Sequence, residues 1–531
     1  MTTPSAAAIQ QGLRGRHRQT TRLAAAPLTL ALVVSVPLAL AYLILAPPAG
    51  DLAAATYRSD LFARVGLTTW DTGWYAAHGY WLPGYSLLSP ALGALLGVRL
   101  LLALSAVTAC TLFALIVERV FGTAAARLAA AWFALGFCVG LLSGRVPYDL
   151  GFAIGLASVL ALMRGALPVA LVLAVLTSVA SPVAGAFLGL AGLAIALADL
   201  SGGRVLENAM PRARVRGISF FGHTADGKTT SPGEHEYDEL RNNKREHDEH
   251  EQEAHRQSER REVQAQADPR RGLALCAAAL IPVLALGIAY PDGGYEPFAA
   301  SAFWPALAGV MLIALLLPQG PLTPRARLLL RVAAALYALA LIGAYAIHTP
   351  VGGNAARLGP LLAAPLLAGV LWEEQRALLL ALTPLLLYWQ LATPIRDYSS
   401  IAGDPSVHAS YYAPVLAELR GLGHGSPTIV EVPMTAAHWE SAYLAGHDGV
   451  ELARGWERQL DTRYAAVFYR KTLSAAAYRG WLAENRVAYV ALPDAPLDKA
   501  GSLEGRLVAH GLPYLREQWH SEHWRLYRVM G

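Results

Sequence analysis

Two carboxylates, Asp60 and Asp71, stand in one stretch of the chain, residues 57–90, which reads YRSDLFARVGLTTWDTGWYAAHGYWLPGYSLLSP. A carboxylate within hydrogen-bond reach of a hydroxyl group can act as its general base. A second carboxylate can orient the acceptor molecule or hold a divalent cation through its oxygen atoms. We therefore expect Asp60 or Asp71 to be catalytic, the alternative being that Asp71 only caps a helix or closes a turn.

The same stretch is dense in aromatic and imidazole side chains. Tyr and Trp rings suit stacking on a sugar, and they equally suit the interfacial belt of a membrane protein. The alternative to a substrate contact is therefore that these side chains only anchor the loop. The candidate substrate contacts are Trp70, Trp74, Tyr75, His78 and Tyr80.

The composition indicates a polytopic membrane protein. Of the 531 residues, 54% are hydrophobic and 15% are charged, and the hydrophobic residues form long blocks nearly free of charge. The net charge of +4 is small, so it gives no indication of nucleic-acid binding. The predicted spans, about eleven, are residues 23–46, 98–118, 123–142, 149–163, 166–181, 183–199, 272–290, 302–317, 328–347, 358–372 and 377–393.

Charge placement predicts the orientation of these spans. Residues 1–22 form a basic tail, which the positive-inside tendency places in the cytoplasm. The loop 47–90 is then outside, and an odd number of spans places the C-terminus outside as well. Residues 204–271, between two spans on the cytoplasmic side, are charged and almost free of apolar side chains. We expect this insertion to be disordered or to form a solvated cytoplasmic helix, without a metal site at its histidines.

After Pro394 the chain reads as a soluble domain, residues 395–531. Residues 427–433 and 487–494 have the pattern of buried strands, and residues 474–485 that of a helix between strands. Residues 523–529 look like a closing strand. Together with residues 23–394, this predicts a mainly α fold, a membrane helix bundle with a small C-terminal α/β domain.

Arginines recur at the predicted outer ends of the spans. A guanidinium group binds phosphate through paired hydrogen bonds and keeps its charge when partly desolvated. For a single arginine, contact with ordinary lipid headgroups explains the position as well. Recurrence in connectors rich in Gly, Pro and Asn favours a shared anion site. The candidate binding residues are Arg58, Arg64, Arg145, Asn354 and Arg357.

The chain over roughly 20–395 resembles the GT-C superfamily of membrane glycosyltransferases, including actinobacterial membrane proteins of that type. The resemblance rests on the first span, the outer loop with its WD-x-x-W-Y and GY-x-L-P-G-Y-S-x-L-x-P patterns, the many short spans and the outer tail. It implies an acidic base, here Asp60 or Asp71, and a basic residue on a lipid phosphate, here Arg145 or Arg357. The loop lacks the adjacent acidic pair of several members.

The resemblance implies a glycosyltransferase, of hexosyl or pentosyl type. Its donor would be a polyprenyl-phosphate-linked sugar, and its acceptor an envelope glycan or lipid. The expected location is the cell membrane, with the active face and the C-terminal domain outside the cytoplasm. A divalent cation is an open question, and no residue is predicted to bind a metal. The alternatives are a transporter or lipid-linked-sugar flippase of the major-facilitator type, and a non-catalytic envelope scaffold.

Overall fold

The computed structural model describes residues 26–209, 268–291, 294–317, 322–423 and 427–530. The predicted basic tail, 1–22, lies outside these ranges. So does most of the predicted insertion, since a helix continues to Ala209 and the next begins at Pro269. Every structural statement below concerns the described residues.

The N-terminal part is a bundle of apolar helices. Nine described helices are long and apolar enough to cross a membrane, and Leu167–Ala180 and Ala300–Leu316 are shorter apolar helices. The predicted fold class is thus confirmed. The helices are α1 (Ala26–Leu45), α2 (Gly50–Val65), α3 (Ser89–Leu96), α4 (Val98–Phe121), α5 (Thr123–Gly140), α6 (Val146–Met163), α7 (Leu167–Ala180), α8 (Pro182–Ala209), α9 (Pro269–Ala289), α10 (Ala300–Leu316), α11 (Pro324–Ala346), α12 (Leu358–Leu371) and α13 (Arg376–Ser399).

Glycines allow close packing of the antiparallel helices α8 and α9. A Cβ atom added at Gly192 would lie 2.6 Å from the backbone nitrogen of Cys276, and one added at Gly272 would lie 2.5 Å from that of Ala196. Only a residue without a side chain permits this approach, which is common between membrane helices. The close packing of α8 on α9 therefore fixes the positions of the two helices that flank the segment between Ala209 and Pro269.

One end of the bundle collects the connectors that build the site, and we call it the domain end. It contains the start of α2, the turn between α5 and α6, residues 294–299, residues 347–357 and the end of α13. Polar contacts join these segments: Arg145 approaches both Asp51 and Asp397, and the N–H of Glu296 donates to the carbonyl of Thr349 at 3.0 Å. Short connections make successive helices antiparallel, which brings alternate connectors together.

The C-terminal part contains a mixed five-stranded sheet in the order β4-β3-β5-β7-β6. Strand β3 is parallel to β4 and β5, and β7 is antiparallel to β5 and β6. The strands are β3 (Thr428–Glu431), β4 (Val450–Leu452), β5 (Tyr489–Pro493), β6 (Leu515–His520) and β7 (Trp524–Val529), and the helices are α14 (Ala409–Leu422), α15 (Glu440–Tyr443), α16 (Arg458–Tyr464), α17 (Ala475–Glu484) and α18 (Ser502–Ala509).

The loop between α2 and α3 is clamped to this sheet. It forms a two-residue hairpin, β1 (Trp70–Asp71) with β2 (Tyr80–Trp81). The N–H of Ala76 donates to the carbonyl of Leu452 at 3.0 Å, and the N–H of Leu452 donates to the carbonyl of Gly73 at 2.9 Å. The loop thereby covers the outer edge of β4, an edge that would otherwise expose unpaired backbone groups.

Residues 294–299 tie the bundle to the soluble domain, which leads to a first prediction. Gly294 has a φ of +78°, and a Cβ atom there would lie 2.0 Å from the carbonyl oxygen of Gln459. We expect Gly294→Ala to detach this segment and to increase amide hydrogen exchange in residues 294–299 and 459–464. The control is Gly403→Ala, where φ is +79° but no atom lies within 4 Å. Equal exchange in both variants would show that the contact does not hold the segment.

Candidate functional site

A cavity of about 500 Å³ lies between the domain end of the bundle and the C-terminal domain. Its wall combines apolar side chains from α8 and α9 with polar side chains from nearly every connector at that end. The charged and imidazole residues in its lining are Asp51, Arg145, Glu296, Arg357, Asp397, His438, Glu457 and Arg458. The cavity is therefore wide enough for a sugar-sized ligand and offers groups of both charges.

Asp51 lies in the first turn of α2, where the helix N-terminus stabilises a negative charge. Its Oδ2 is 3.4 Å from Nε of Arg145, and Oδ2 of Asp397 is 3.4 Å from Nη2 of the same arginine. The hydroxyl of Ser143 donates to Asp397 at 2.8 Å. Arg145 Nε makes no hydrogen bond in the described protein. The charge of Asp51 is therefore balanced by the nearby Arg145. Because Nε of Arg145 donates no hydrogen bond to Asp51, the carboxylate lone pairs that face the cavity are not occupied by this arginine.

Arg357 supplies a second positive charge. It ends the short 3₁₀ helix Gly352–Arg357, which also carries Asn354, and its guanidinium carbon lies 5.6 Å from the ring centroid of Tyr148. In the described part of the chain no carboxylate lies within salt-bridge distance of Arg357. An anion that enters the cavity could therefore bind the guanidinium group of Arg357 without first displacing a protein carboxylate.

Glu296 lines the cavity from residues 294–299, the segment that joins bundle and domain. Burial raises the pKa of Glu296 to about 7, and the nearby charges of Arg458 and Arg357 oppose that shift. A carboxyl group with such a pKa carries its proton in part of the molecules at neutral pH. It can therefore donate or accept a hydrogen bond to a ligand.

The C-terminal domain contributes the remaining wall from loops that follow two parallel strands. His438 follows β3, and Trp456 and Arg458 follow β4, so they lie at the carboxyl edge of the sheet, where α/β domains commonly bind ligands. The imidazole ring of His438 stacks on the indole ring of Trp456, with 3.5 Å between the ring centroids. Arg458 forms a salt bridge of 2.8 Å with Asp498. Burial lowers the pKa of His438 to about 3, so this imidazole is uncharged at neutral pH.

Three sequence-predicted binding residues, Arg145, Asn354 and Arg357, line this cavity together. The feature of the sequence that pointed to these three residues was their position at the ends of predicted spans on the same side of the membrane. Their role in binding stays a prediction.

Asp60 and Asp71, the predicted bases, do not line the cavity. Asp60 is exposed on α2. Asp71, in β1, accepts a hydrogen bond of 2.7 Å from the hydroxyl of Tyr57 on α2. Neither carboxylate lies beside the arginines of the cavity, and the catalytic role predicted for them stays a prediction.

Arg58 and Arg64, predicted to bind an anion, make protein contacts instead. Arg58 is 3% exposed, forms a salt bridge of 2.6 Å with Glu457, and lies 3.7 Å above the ring centroid of Tyr85. Arg64 donates a hydrogen bond to the carbonyl of Gly446. Both arginines therefore join α2 to the C-terminal domain.

The loop aromatics form the packing between loop and domain. Trp74 is fully buried, stacks between Tyr57 and Tyr80, and donates through its indole N–H to the carbonyl of Ser441 at 2.9 Å. The buried hydroxyl of Tyr75 donates to the carbonyl of Gly455 at 2.7 Å.

The two remaining predicted contacts of the loop also make ring contacts within the protein. The ring of His78 stacks on that of Tyr464, with 4.4 Å between the ring centroids. Trp70 is exposed, and its ring lies edge-on to Trp81. None of the five predicted contacts (Trp70, Trp74, Tyr75, His78 and Tyr80) lines the cavity, and Trp74, Tyr75 and Tyr80 are buried. Their role as sugar contacts stays a prediction.

The cavity carboxylates that sequence reasoning did not select are Asp51, Glu296, Asp397 and Glu457. Asp51 is the earliest carboxylate of the outer loop and directly follows PPAG at the end of the first span. That position was a usable signal. Asp397 offers none, since its closeness to Asp51 and Arg145 arises only from the packing of α13.

A divalent cation does not fit the carboxylates of this cavity. The described residues contain no group of three or more His, Cys, Asp or Glu side chains arranged to hold a metal ion. The guanidinium group of Arg145 occupies the space between the two nearest carboxylates, Asp51 and Asp397, where a cation would be expected. We derive no chemical step through a metal.

No family model matches this sequence, and no curated protein matches it. Solved structures that match include two crystal structures of the oligosaccharyltransferase of Archaeoglobus fulgidus. One is tethered by a disulfide bond to an acceptor peptide with the NVT sequon, and the other is a complex with zinc and sulfate. Each is 12% identical with a TM-score of 0.44, covering 88% of this chain and 69% and 68% of the two neighbours. Likeness at this level assigns neither an activity nor a ligand.

Proposed function

We propose that this protein is a membrane glycosyltransferase of the GT-C type. It would move a sugar from a polyprenyl-phosphate carrier to a hydroxyl group of an envelope glycan or lipid. The observation that carries the proposal is the meeting of one carboxylate, Asp51, with two guanidinium groups, Arg145 and Arg357, in one cavity. The loop patterns in residues 57–90 support the same class.

The proposed step balances as a simple substitution at the sugar. The acceptor oxygen forms a bond to the anomeric carbon while the bond from that carbon to the phosphate oxygen breaks. Asp51 takes the proton of the acceptor hydroxyl, and the phosphate keeps the bonding electron pair. Arg145 and Arg357 stabilise the charge that develops on the phosphate.

The position of the cavity suits a lipid-linked donor. Val183 and Ala186 from α8 and Val283 from α9 give its wall an apolar side next to the membrane-spanning helices. A prenyl chain can pack there while its phosphate reaches the arginines. Helix α1 begins at Ala26, at the end of the bundle away from the start of α2 and the cavity. The positive-inside tendency, applied to the basic sequence 1–22, would then place the cavity outside the cytoplasm.

Transfer in proteoliposomes tests this proposal. The purified full chain is supplied with a polyprenyl-phosphate sugar that carries a radiolabel in the sugar, together with an extract of envelope glycans. The expected result is label in the glycan or in a new lipid product. Label that crosses the bilayer while still on its carrier would favour the flippase, and label that does neither would favour the scaffold. Either outcome would contradict the transferase.

Arg357→Gln is expected to weaken donor binding. Hydrogen bonds to a charged group contribute about 1.5–3 kcal/mol, so the donor KM should rise about 10- to 100-fold. The measurement is initial transfer rate against donor concentration. The control is Arg64→Gln, at the same end of the bundle but outside the cavity. An unchanged KM in the Arg357 variant would remove Arg357 from the phosphate site.

A further inference from the structure

Three carboxyl groups of the C-terminal domain converge on one guanidinium group in its interior. Glu431 ends β3, Asp461 lies in α16, and Glu504 lies in the first turn of α18. Nη1 of Arg454 is 2.5 Å from Oε1 of Glu504 and 3.9 Å from Oε1 of Glu431. Its Nη2 is 2.8 Å from Oδ2 of Asp461, and each of the four residues is at most 3% exposed. Three ionised carboxylates would exceed the single positive charge by two, which a closed interior strongly disfavours.

Glu431 and Glu504 contact each other. Their carboxyl groups lie within hydrogen-bond reach. No donor group of the described protein reaches either carboxyl oxygen of Glu431 or Oε2 of Glu504. Two ionised carboxylates repel each other at such a separation, whereas a protonated carboxyl group donates a hydrogen bond to its neighbour. One bound proton therefore explains both the contact and the oxygen atoms that otherwise have no partner.

The surroundings of the pair favour the bound proton. Burial raises the pKa of Glu431 well above its ordinary range; the charge of Glu504 adds to this shift, and Arg454 opposes it. The negative charge of Asp461 also raises the pKa of Glu431. The remaining group that faces the pair is Tyr478 on α17, whose pKa burial raises, so its hydroxyl stays uncharged. The one guanidinium group therefore offsets only part of the cost of charging both carboxyl groups.

A chain of hydrogen bonds connects this cluster to the cavity wall. Asp461 accepts from Nε and Nη2 of Arg454, at 3.0 and 2.8 Å, and from the hydroxyl of Tyr469 at 2.6 Å. That hydroxyl accepts a hydrogen bond of 3.1 Å from Nη1 of Arg458, which lines the cavity. Asp461 and Arg458 both belong to α16. The buried cluster therefore holds the helix that presents Arg458 to the cavity.

We propose that Glu431 and Glu504 share a single proton, and that loss of this proton at higher pH loosens α16 and, with it, Arg458 at the cavity. The direction follows from proton linkage. The folded domain keeps a proton that the unfolded chain releases above the ordinary pKa of a glutamate, so stability falls as the pH rises beyond that value. Below it, both states bind the proton and the pair no longer makes stability depend on pH. The pair thus acts as a pH-sensitive support of the cavity wall, firmest in acidic surroundings.

Infrared difference spectroscopy of the full chain in lipid tests for the proton. The spectrum of the wild type minus that of Glu431→Gln, at neutral pH, should contain the carbonyl stretch of a protonated carboxyl group. Glutamine is uncharged and can still donate a hydrogen bond to Glu504, so the variant needs no shared proton. Glu504→Gln also leaves a single carboxyl group of the pair beside Arg454 and should lose the same band. Absence of the band from both difference spectra would overturn the proposal.

Hydrogen exchange of residues 458–464 in the full chain tests the loosening. At equal pH these amides should exchange faster in the wild type than in Glu431→Gln, because only the wild type must keep the proton. The ratio of the two rates should be at least about threefold larger at about pH 8 than at about pH 6. The matched control is Glu484→Gln, a carboxylate exposed on α17, whose ratio should not change with pH.

A ratio for Glu431→Gln that is the same at both pH values would overturn the switch. If that variant does not fold, Glu504→Gln takes its place in the comparison, with the same expected trend. A failure of the transferase proposal is separate, because it shows in the transfer assay and leaves the infrared band and the exchange rates as they are.

Discussion

Asp51→Asn is expected to abolish sugar transfer, with a loss of about 100- to 10,000-fold in kcat, the range for removal of a general base. The amide keeps the size and the hydrogen-bonding reach of the carboxylate but does not accept the acceptor's proton. The donor KM should change little, because the phosphate contacts come from Arg145 and Arg357. The measurement is single-turnover transfer from a labelled polyprenyl-phosphate sugar.

The matched control is Asp60→Asn, a carboxylate on the same helix that is exposed outside the cavity. It should transfer at the wild-type rate. Loss of transfer in Asp60→Asn with full activity in Asp51→Asn would return the catalytic role to the aspartate that the sequence pattern favoured and would contradict the assignment made from the cavity.

Arg454→Met should destabilise the C-terminal domain by about 3–5 kcal/mol, the cost of leaving buried charges without their partner. Arg454 is 3% exposed and donates to both oxygens of Asp461, at 3.0 and 2.8 Å, and to Glu504. Burial raises the pKa of Glu504 to about 7, although Arg454 opposes the shift. Without the guanidinium group, Asp461 would be a buried carboxylate without its cationic partner, and Glu504 would lose the donor that its carboxyl oxygen accepts from.

Thermal unfolding of the full chain in detergent, followed by tryptophan fluorescence, measures this loss. We expect the transition of the C-terminal domain to fall by about 10 °C. The control is Arg516→Met, an exposed residue of β6, with an expected change within about 0.5 kcal/mol. Equal transitions in the two variants would show that the buried cluster around Arg454 contributes nothing to stability.

The membrane bundle could be predicted because its physical cause is local. Each span needs a run of apolar residues long enough for the bilayer, and such runs are visible one at a time. Strands β3 and β5 were visible for the same reason, since each contains a short apolar run bounded by Pro or Asp, and residues 523–529 were recognised as a closing strand. Strand β4 has three residues, and the exposed strand β6 (LREQWH) has no apolar run, so neither gave a signal.

The cavity could be predicted only in part. Arg145 and Arg357 stand at the ends of spans that must share one face of the membrane, so topology alone brings them near each other. Which carboxylate could act as the general base depends on which turn of α2 faces the cavity. Asp51 and Asp60 lie on the same helix, and only the packing of α2 against the turn at Gly144 and against α4 and α6 separates them.

The loop aromatics show why composition does not decide between binding and packing. Trp74 and Tyr80 have the types expected for sugar contacts, yet the buried core between a loop and a domain uses the same types. The deciding fact is the edge of β4, which pairs with Gly73 and Ala76 and draws Trp74 into the interior. That edge lies far along the chain and could not be located from the loop.

The most direct test of the central claim is a cryo-electron microscopy structure of the Asp51→Asn variant with a polyprenyl-phosphate sugar bound. We expect phosphate density within hydrogen-bond reach of Arg145 and Arg357, the prenyl chain beside α8 and α9, and the anomeric carbon turned toward residue 51. Phosphate density elsewhere, or a cavity that stays closed to the lipid while the donor binds another surface, would contradict it.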